Sequence, residues 1–310
     1  MIAALSIIFA MSGEPATTEP QQSLVTVLLP AFNEEQAIGD VIAEIQQVMQ
    51  RWQTATGHGW EILVVDDCSA DATAEKAEAA GVRVIRRKHN GGSGAARKTG
   101  IRAARGEFIA MLDADGSYDP QALPELIKHL PEFDQVNGAR TSEKGTLKPL
   151  RVPAKWIIRK LAEWICRRRI PDLNTGMKVF KRDVMLKYVW VMPDGFSCVS
   201  SMTMAFLCND HAVKYIPVEY RPRVGKSKFH PIRDTAKYIL TVIRLSLYFR
   251  PLRTFLPISI AIFLGALALG TRNMIVSETG LHDADIMLFL SAMLIFVLGL
   301  LADLIVAYRR

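Results

Sequence analysis

Apolar residues recur along this chain in three rhythms, and each predicts a different kind of element. In the first half, Leu24-Val-Thr-Val-Leu-Leu29, Ile62-Leu-Val-Val65, Val82-Arg-Val-Ile85 and Phe108-Ile-Ala-Met-Leu112 are short runs separated by polar, helix-forming sequence. Runs of that length read as strands buried on both faces of a sheet. Ile38, Val41, Ile42, Ile45, Val48, Met49 and Trp52 fall instead at helical spacing, so one face of a helix packs on that sheet. Further helices are expected from the glycine-rich turn to about Arg105 and around Lys155 to Arg169, and a further strand over Lys214 to Glu219. Strands alternating with helices imply a mostly parallel, doubly wound α/β sheet with its ligand site at the carboxyl edge.

The second rhythm runs from Ile232 to Leu252, where Ile239, Leu240, Val242, Ile243, Leu245, Leu247 and Phe249 alternate with Arg233, Lys237, Arg244 and Arg250. That is the pattern of helices lying in a membrane interface. The third is continuous. Phe255 to Gly270 is almost uninterrupted apolar sequence, extended to Val276 by admitting Arg272, and Ile286 to Ala307 carries only Asp303. Each is near the ~20 residues needed to cross a bilayer, so the chain is expected to end in a transmembrane hairpin. The boundaries that follow are an N-terminal extension over 1–23, an α/β domain over 24–230, interfacial helices over 231–253 and the hairpin over 254–310.

The strand ends carry the chemistry. Phe108-Ile-Ala-Met-Leu stops in Asp113-Ala114-Asp115, delivering two carboxylates to the carboxyl edge. Mg²⁺ favours one or two protein carboxylates completed by phosphate oxygens, so a metal-chelated diphosphate is the natural guest. The second strand ends in Asp66-Asp67, with Ser69 and Asp71 where a helix N-cap belongs. Asn90-Gly-Gly-Ser-Gly94 is neither a dinucleotide fingerprint nor a P-loop; its amides could face an anion, or its glycines could permit a tight turn.

Charge and composition change the picture in two respects. The 310 residues carry a net charge of +7 with a mean hydropathy of +0.15, and the basic residues cluster near the apolar hairpin. With no nucleic-acid motif present, an anionic lipid surface is the fitting partner. Cys68, Cys166, Cys198 and Cys208 are scattered, without C-x-x-C or metal-ligand spacing, and read as reduced, mostly packed thiols. Met1 to Met11 is too short to span and lacks a basic start, which makes a poor signal peptide.

Taken in order, Pro30-Ala-Phe-Asn-Glu34, Val65-Asp-Asp-Cys-Ser-Ala-Asp71-Ala-Thr73, Asn90 to Gly94, Asp113-Ala-Asp115, Gly176-Met-Lys178-Val-Phe180 and Arg223-Val-Gly-Lys-Ser227-Lys228 make the chain resemble a family 2 glycosyltransferase. The resemblance is to the polyprenyl-phosphate branch, whose catalytic domain has the Rossmann-like GT-A fold. It implies a nucleotide-sugar pocket lined by Pro30, Phe32, Glu34, Asp66, Asp67 and Gly94 and by Asp113, Ala114 and Asp115. It further implies Mg²⁺ or Mn²⁺ on Asp113 and Asp115, and acceptor phosphate near Arg140, Arg223, Ser227 and Lys228. The donor would be a UDP- or GDP-linked sugar, the acceptor a polyprenyl phosphate.

The chain departs from relatives that glycosylate hydroxyls. Gly195-Phe196 is followed by Ser-Cys-Val-Ser-Ser-Met, with no acid before Asp210, and Gln-x-x-Arg-Trp is absent. A hydroxyl nucleophile needs a positioned base, worth about 10²–10⁴-fold, whereas a lipid phosphate is already an anion. It needs cations instead, and Arg140, Arg223, Lys226 and Lys228 could supply them. Transfer to a non-lipid saccharide, a non-catalytic binding protein on the same fold and a soluble nucleotidyltransferase are the alternatives. Arg309-Arg310 and the basic interfacial stretch flank the hairpin on one side, while its loop carries Glu278, Asp283 and Asp285, so the positive-inside rule puts the catalytic domain in the cytoplasm. The sugar, the polyprenol and the choice between monomer and homo-oligomer are left open.

Replacing Lys228 by alanine should lower kcat/KM for the phosphate-bearing substrates by about tenfold, the worth of a charge-assisted hydrogen bond, without unfolding the domain. Unchanged kinetics for both substrates would remove the loop from the reaction.

Overall fold

The computed structural model describes residues 25–141, 148–195, 197–222, 231–276 and 281–308. The expected N-terminal extension, Leu24, Phe196, Glu278, the cationic loop with Arg223, Lys226, Ser227 and Lys228, and Arg309-Arg310 lie outside the described residues. In chain order the elements are β1 (Val25–Ala31), α1 (Ile38–Thr56), β2 (Trp60–Asp66), α2 (Thr73–Ala79), β3 (Arg83–Arg86), α3 (Ser93–Ala103), β4 (Phe108–Met111), α4 (Leu123–Ile127) and β5 (Gln135–Arg140). They continue as α5 (Lys148–Cys166), β6 (Lys178–Lys181), α6 (Arg182–Leu186), α7 (Cys198–Cys208), β7 (Val213–Val218), α8 (Pro231–Phe249), α9 (Pro251–Val276) and α10 (Asp283–Tyr308).

The strands form one sheet in the order β3-β2-β1-β4-β6-β5-β7. β1 pairs in parallel with β2 and β4, β2 with β3, and β5 with β7, while β6 runs antiparallel to both its neighbours. The expectation of a mostly parallel sheet therefore holds, and its one reversed strand has a consequence. A strand running the other way begins at the edge where its neighbours end, so the segment leading into Lys178 arrives beside Asp113.

Both faces of the sheet are covered, as continuous apolar strands require. Ile38, Ile42, Ile45 and Met49 of α1 pack with Val27, Leu29 and Val64 on one face. Ala96 and Ile101 of α3 and Met202 and Phe206 of α7 pack with Leu28, Leu63, Ile109 and Phe180 on the other. A third core joins α5, α7 and α8 through Ile158, Ala162, Ile165, Met204, Val242, Leu245 and Phe249. α7 has no polar face for a helical rhythm to reveal, since all its residues are buried. The four cysteines are free, with only Cys68 exposed, and the sulfurs of Cys166 and Cys208 lie 3.0 Å apart in the third core.

α9 and α10 are the two helices among the described residues that are long and apolar enough to cross a membrane, and most of their surface is exposed. α9 begins at Pro251, ahead of the strictly apolar run, and continues through Arg272. Their buried positions are mostly small, Ser259, Ala266 and Gly270 on α9 and Ala292 and Gly299 on α10, with Gly270 against Leu281 and Gly299 against Phe255, which lets the helices approach closely where lipid offers no hydrophobic drive. The Phe263 and Phe289 rings meet at a tilt with centroids 5.6 Å apart, and Asn273 donates to Asp285 over 2.9 Å.

A Cβ on Gly299 would come within 2.7 Å of the Phe255 Cβ. Gly299→Leu should therefore wedge the hairpin apart and cost about 1–3 kcal/mol, read as a lower melting temperature in detergent. An unchanged melting temperature would show that this contact does not hold the helices together.

Candidate active site

At the carboxyl edge the loops after β1 and β2 are laced together before any ligand is considered. Asp66, the last residue of β2, accepts from the Ser69 hydroxyl, and that hydroxyl in turn accepts from the Asn33 N–H over 2.9 Å. Glu34 N–H donates to Thr73 Oγ1 over 2.8 Å, Glu35 N–H to Asp71 over 3.2 Å, and Ala70 N–H to Asn33 Oδ1 over 2.8 Å. Ser69 and Asp71 were expected to cap α2. The N-cap position belongs to Ala72, yet Asp71 does accept from the first helical N–H, that of Thr73, over 3.1 Å, while Ser69 ties one loop to the other instead. Pro30, Phe32 and Glu34 are thereby set along one rim, with Asn33 in the left-handed region at φ 52°.

Asp67 meets the glycine-rich turn. Its Oδ1 pairs with Arg87 and accepts from Gly91 N–H over 3.2 Å, and its Oδ2 accepts from Gly92 N–H over 2.7 Å. Gly94 N–H donates to the Asp194 carbonyl over 2.7 Å, and any side chain at Gly94 would overlap the Pro193 carbonyl. The amides of Gly91, Gly92 and Gly94 are thus engaged by protein acceptors, and the glycines permit close packing of two backbones. Of the two readings open in the sequence, the geometry favours the tight turn over an anion cradle.

Asp113 and Asp115 follow β4 directly. Arg97 of α3, which is 5% exposed, forms an ion pair with Asp113 and donates to the Ser93 carbonyl over 3.2 Å. Burial works against its charge, but Cys198 and Asp113 beside it hold its pKa above the ordinary value. Gly176 approaches Asp113 so closely that a Cβ there would overlap the carboxylate. Asp115 Oδ1 accepts from the Ser117 N–H over 3.0 Å, while the Ala114 methyl packs into the core, so only its backbone can face a ligand. Among the described residues no group of three or more His, Cys, Asp or Glu side chains could hold a metal. Two carboxylates at a strand end suit Mg²⁺ or Mn²⁺ whose remaining ligands are substrate oxygens and water.

Arg140, at the end of β5, is engaged with Asp172: Nε to Oδ2 at 2.7 Å and Nη2 to Oδ1 at 3.0 Å. Against the cost of burial, those hydrogen bonds and the Arg140 charge hold the Asp172 carboxyl below the usual range. The guanidinium also lies 5.4 Å above the Tyr220 ring, which meets Tyr118 edge-on at 5.1 Å. Tyr118 OH accepts from Gly176 N–H over 2.7 Å, and burial, with Asp113 adding to it, pushes its pKa up. Asp113, Asp115 and Arg140 are in this way gathered on one edge through residues that motif reading did not select: Arg97, Tyr118, Asp172 and Tyr220.

Lys178 escaped notice as well. It is fully buried, donates to Asn137 Oδ1 over 3.1 Å and to Thr203 Oγ1 over 2.7 Å, and burial pushes its pKa down to about 7. The signal was present in Gly176-Met-Lys178-Val-Phe180, where a lysine interrupts an apolar strand. Only the packing of α7 over the sheet shows what it does.

Comparison with known proteins agrees with this geometry. The profile described as Glycosyl transferase family 2 matches residues 26–189, and that described as GtrB C-terminal hairpin matches residues 250–308. The dodecaprenyl-phosphate galacturonate synthase of Rhizobium johnstonii is 27% identical over 93% of this chain and 90% of its own. The dolichyl-phosphate hexose transferase of Haloferax volcanii is 27% identical over 72% of this chain and 94% of its own. Among solved structures, glucosyl-3-phosphoglycerate synthase from Mycobacterium tuberculosis, in complex with Mn²⁺, uridine diphosphate and glucosyl-3-phosphoglycerate, superposes with a TM-score of 0.56. It is 20% identical, covering 73% of this chain and 80% of that one, a likeness of fold.

The Asp113 side chain is 29% exposed, so water screens part of the charge left behind and losing the Arg97 cation costs about 1–3 kcal/mol. Arg97→Met should lower the melting temperature accordingly and Arg97→Lys should restore most of it. Equal melting temperatures for wild type and Arg97→Met would show that the pair does not organise this edge.

Proposed function

The chain belongs to glycosyl transferase family 2, and from that premise we propose that it transfers one sugar from a nucleotide diphosphate sugar to a polyprenyl phosphate at the cytoplasmic membrane face, with inversion. The observation that carries this reading is the conjunction of a carboxyl edge bearing Asp113, Asp115 and Arg140 with two apolar helices at the C-terminus of the same chain. The dodecaprenyl-phosphate galacturonate synthase, matched over 93% of this chain, and the dolichyl-phosphate hexose transferase, matched over 72% of it, support it.

The acceptor phosphate attacks the anomeric carbon as the bond to the diphosphate breaks, in one in-line displacement. No general base is required, because the attacking oxygen is already ionised. Asp113 and Asp115 are the residues to hold Mg²⁺ or Mn²⁺, which supplies charge neutralisation for the leaving diphosphate. Arg97 pairs with Asp113 and fixes its rotamer, and Gly176 leaves that carboxylate room. Arg140, held in position by Asp172 and Tyr220, presents a cation at the edge where two anions must meet. Pro30, Phe32, Glu34, Asp66 and Asp67 shape the nucleotide side, the last two by ordering the loops around it. The outlying Arg223, Ser227 and Lys228 complete the phosphate contacts.

Purified protein incubated in detergent with undecaprenyl phosphate, Mg²⁺ or Mn²⁺ and a panel of labelled nucleotide sugars should move label into the organic phase with one donor, and chelator should abolish the transfer. Asp115→Asn should remain folded and lose at least about 10²-fold in turnover, the scale of a lost charge-stabilising contact. Nucleotide release with all label left in water would assign a non-lipid acceptor, and full activity of Asp115→Asn would remove the metal reading.

A further inference from the structure

Where α5 ends and α9 begins lies a groove of about 410 Å³. Its walls are apolar on one side, Trp164 from α5 and Leu256, Pro257 and Ile260 from the first turns of α9, and cationic at the other, Arg167 and Arg253. Trp164 is 50% exposed and Ile260 47%, so the apolar wall is open to its surroundings. Glu163, the acid in the lining, is already engaged by Lys160 at 2.8 Å and by the Ile170 N–H at 3.1 Å. Arg167 stands in the left-handed region at φ 52° just past the helix end, followed by the exposed Arg168 and Arg169. Arg250 and Arg253 complete the cluster, and Arg167 and Arg250 act on Arg253 as like charges. Arg250 is partly offset by Asp210 at 2.9 Å.

The position of the groove follows from its neighbours. Trp190 and Tyr248 are exposed and meet at a tilt with ring centroids 5.5 Å apart, and Tyr248 precedes the first spanning helix by three residues. Amphipathic rings at the foot of a spanning helix mark the level of the lipid headgroups. Arg253 and Ile260 are separated by two helical turns, ~10 Å at 1.5 Å per residue, the depth from headgroup to upper acyl chain. The groove is remote from the reacting groups. The first residue of α7, Cys198, contacts Arg97 beside Asp113, whereas its last, Cys208, accepts from Arg250 over 3.2 Å. The helix of 11 residues that these two cysteines bound sets them ~15 Å apart. A phosphate at Arg167 therefore cannot be the one that attacks the donor.

We propose that this groove is a binding site for an anionic phospholipid of the bilayer, its phosphodiester against Arg167 and Arg253 and its first methylenes against Trp164, Leu256 and Ile260. An arginine cluster whose one acidic partner among the described residues is Asp210 on Arg250, set at an apolar wall at headgroup depth, has the charge and shape complementary to such a lipid and to no uncharged one. The bound lipid offsets the mutual repulsion of the arginines and docks the α/β domain on its hairpin. The proposal goes beyond the transfer reaction and rests only on α9 and α10 lying in a membrane.

The test needs neither donor nor metal. Full-length protein purified in detergent is titrated with phosphatidylglycerol or phosphatidylcholine and bound lipid is counted by native mass spectrometry, with the melting temperature followed in parallel. One phosphatidylglycerol should bind per chain at least about tenfold more tightly than phosphatidylcholine and raise the melting temperature. Arg167→Glu, which removes an exposed cation, and Ile260→Trp, which fills the groove, should each lose about tenfold in that affinity while keeping the lipid-free melting temperature. Equal binding of the two lipids, or wild-type affinity in both variants, would overturn the site. One-for-one displacement of phosphatidylglycerol by undecaprenyl phosphate would overturn it too, making the groove a passage for the acceptor.

Discussion

The ion pair between Arg97 and Asp113 is the interaction on which the carboxyl edge depends. A guanidinium almost entirely removed from water is tolerable only beside a fixed anion, so α3 cannot pack on β1 and β2 without committing Asp113 to one place. Three other elements accommodate that commitment. The loop into β6 passes Gly176 over the carboxylate, α7 brings Cys198 against the guanidinium, and Tyr118 hydrogen-bonds the Gly176 amide from the turn that carries Asp115. A residue with any side chain at Gly176, or a neutral one at Arg97, disturbs the same point from opposite sides.

That arrangement suits a reaction in which negative charge must be gathered before it can react. A diphosphate donor and a phosphate acceptor repel each other, and a site that serves them needs cations fixed in advance so that no reorganisation is required during transfer. Arg140 illustrates how this is done. Asp172 and the Tyr220 ring restrict it, so its charge is presented without the entropy of a free side chain. The absence of an acid between Gly195 and Asp210 is coherent with the same chemistry, since an ionised nucleophile has no proton to lose.

The membrane enters as a geometric constraint. α8 runs along α7 from the Ser197–Thr241 contact at 3.1 Å to Arg250 at Cys208, and the chain then turns directly into α9. The catalytic domain is thereby held at a fixed standoff, roughly the length of α7, above the level where Trp164, Trp190, Tyr248 and the arginines gather. The expected interfacial stretch is thus one helix packed into the third core through Val242, Leu245 and Phe249, with Leu240 and Tyr248 left outward.

Periodicity alone determined the βα alternation, the amphipathic helix α1 and the apolar hairpin, because each depends on burial repeated along one element. The paired acids at strand ends were equally legible, since a buried strand must stop where a carboxylate begins. What the tertiary structure decided is which groups those acids meet. Arg97 lies on the helix after the glycine-rich turn, Asp172 in a loop and Lys178 within an apolar strand; each acquires its role from a partner 16 to 41 residues away. The reversal of β6 lies beyond sequence rhythm as well, for a strand reads the same in either direction. So does α7, whose helical period is hidden because no side of it faces water.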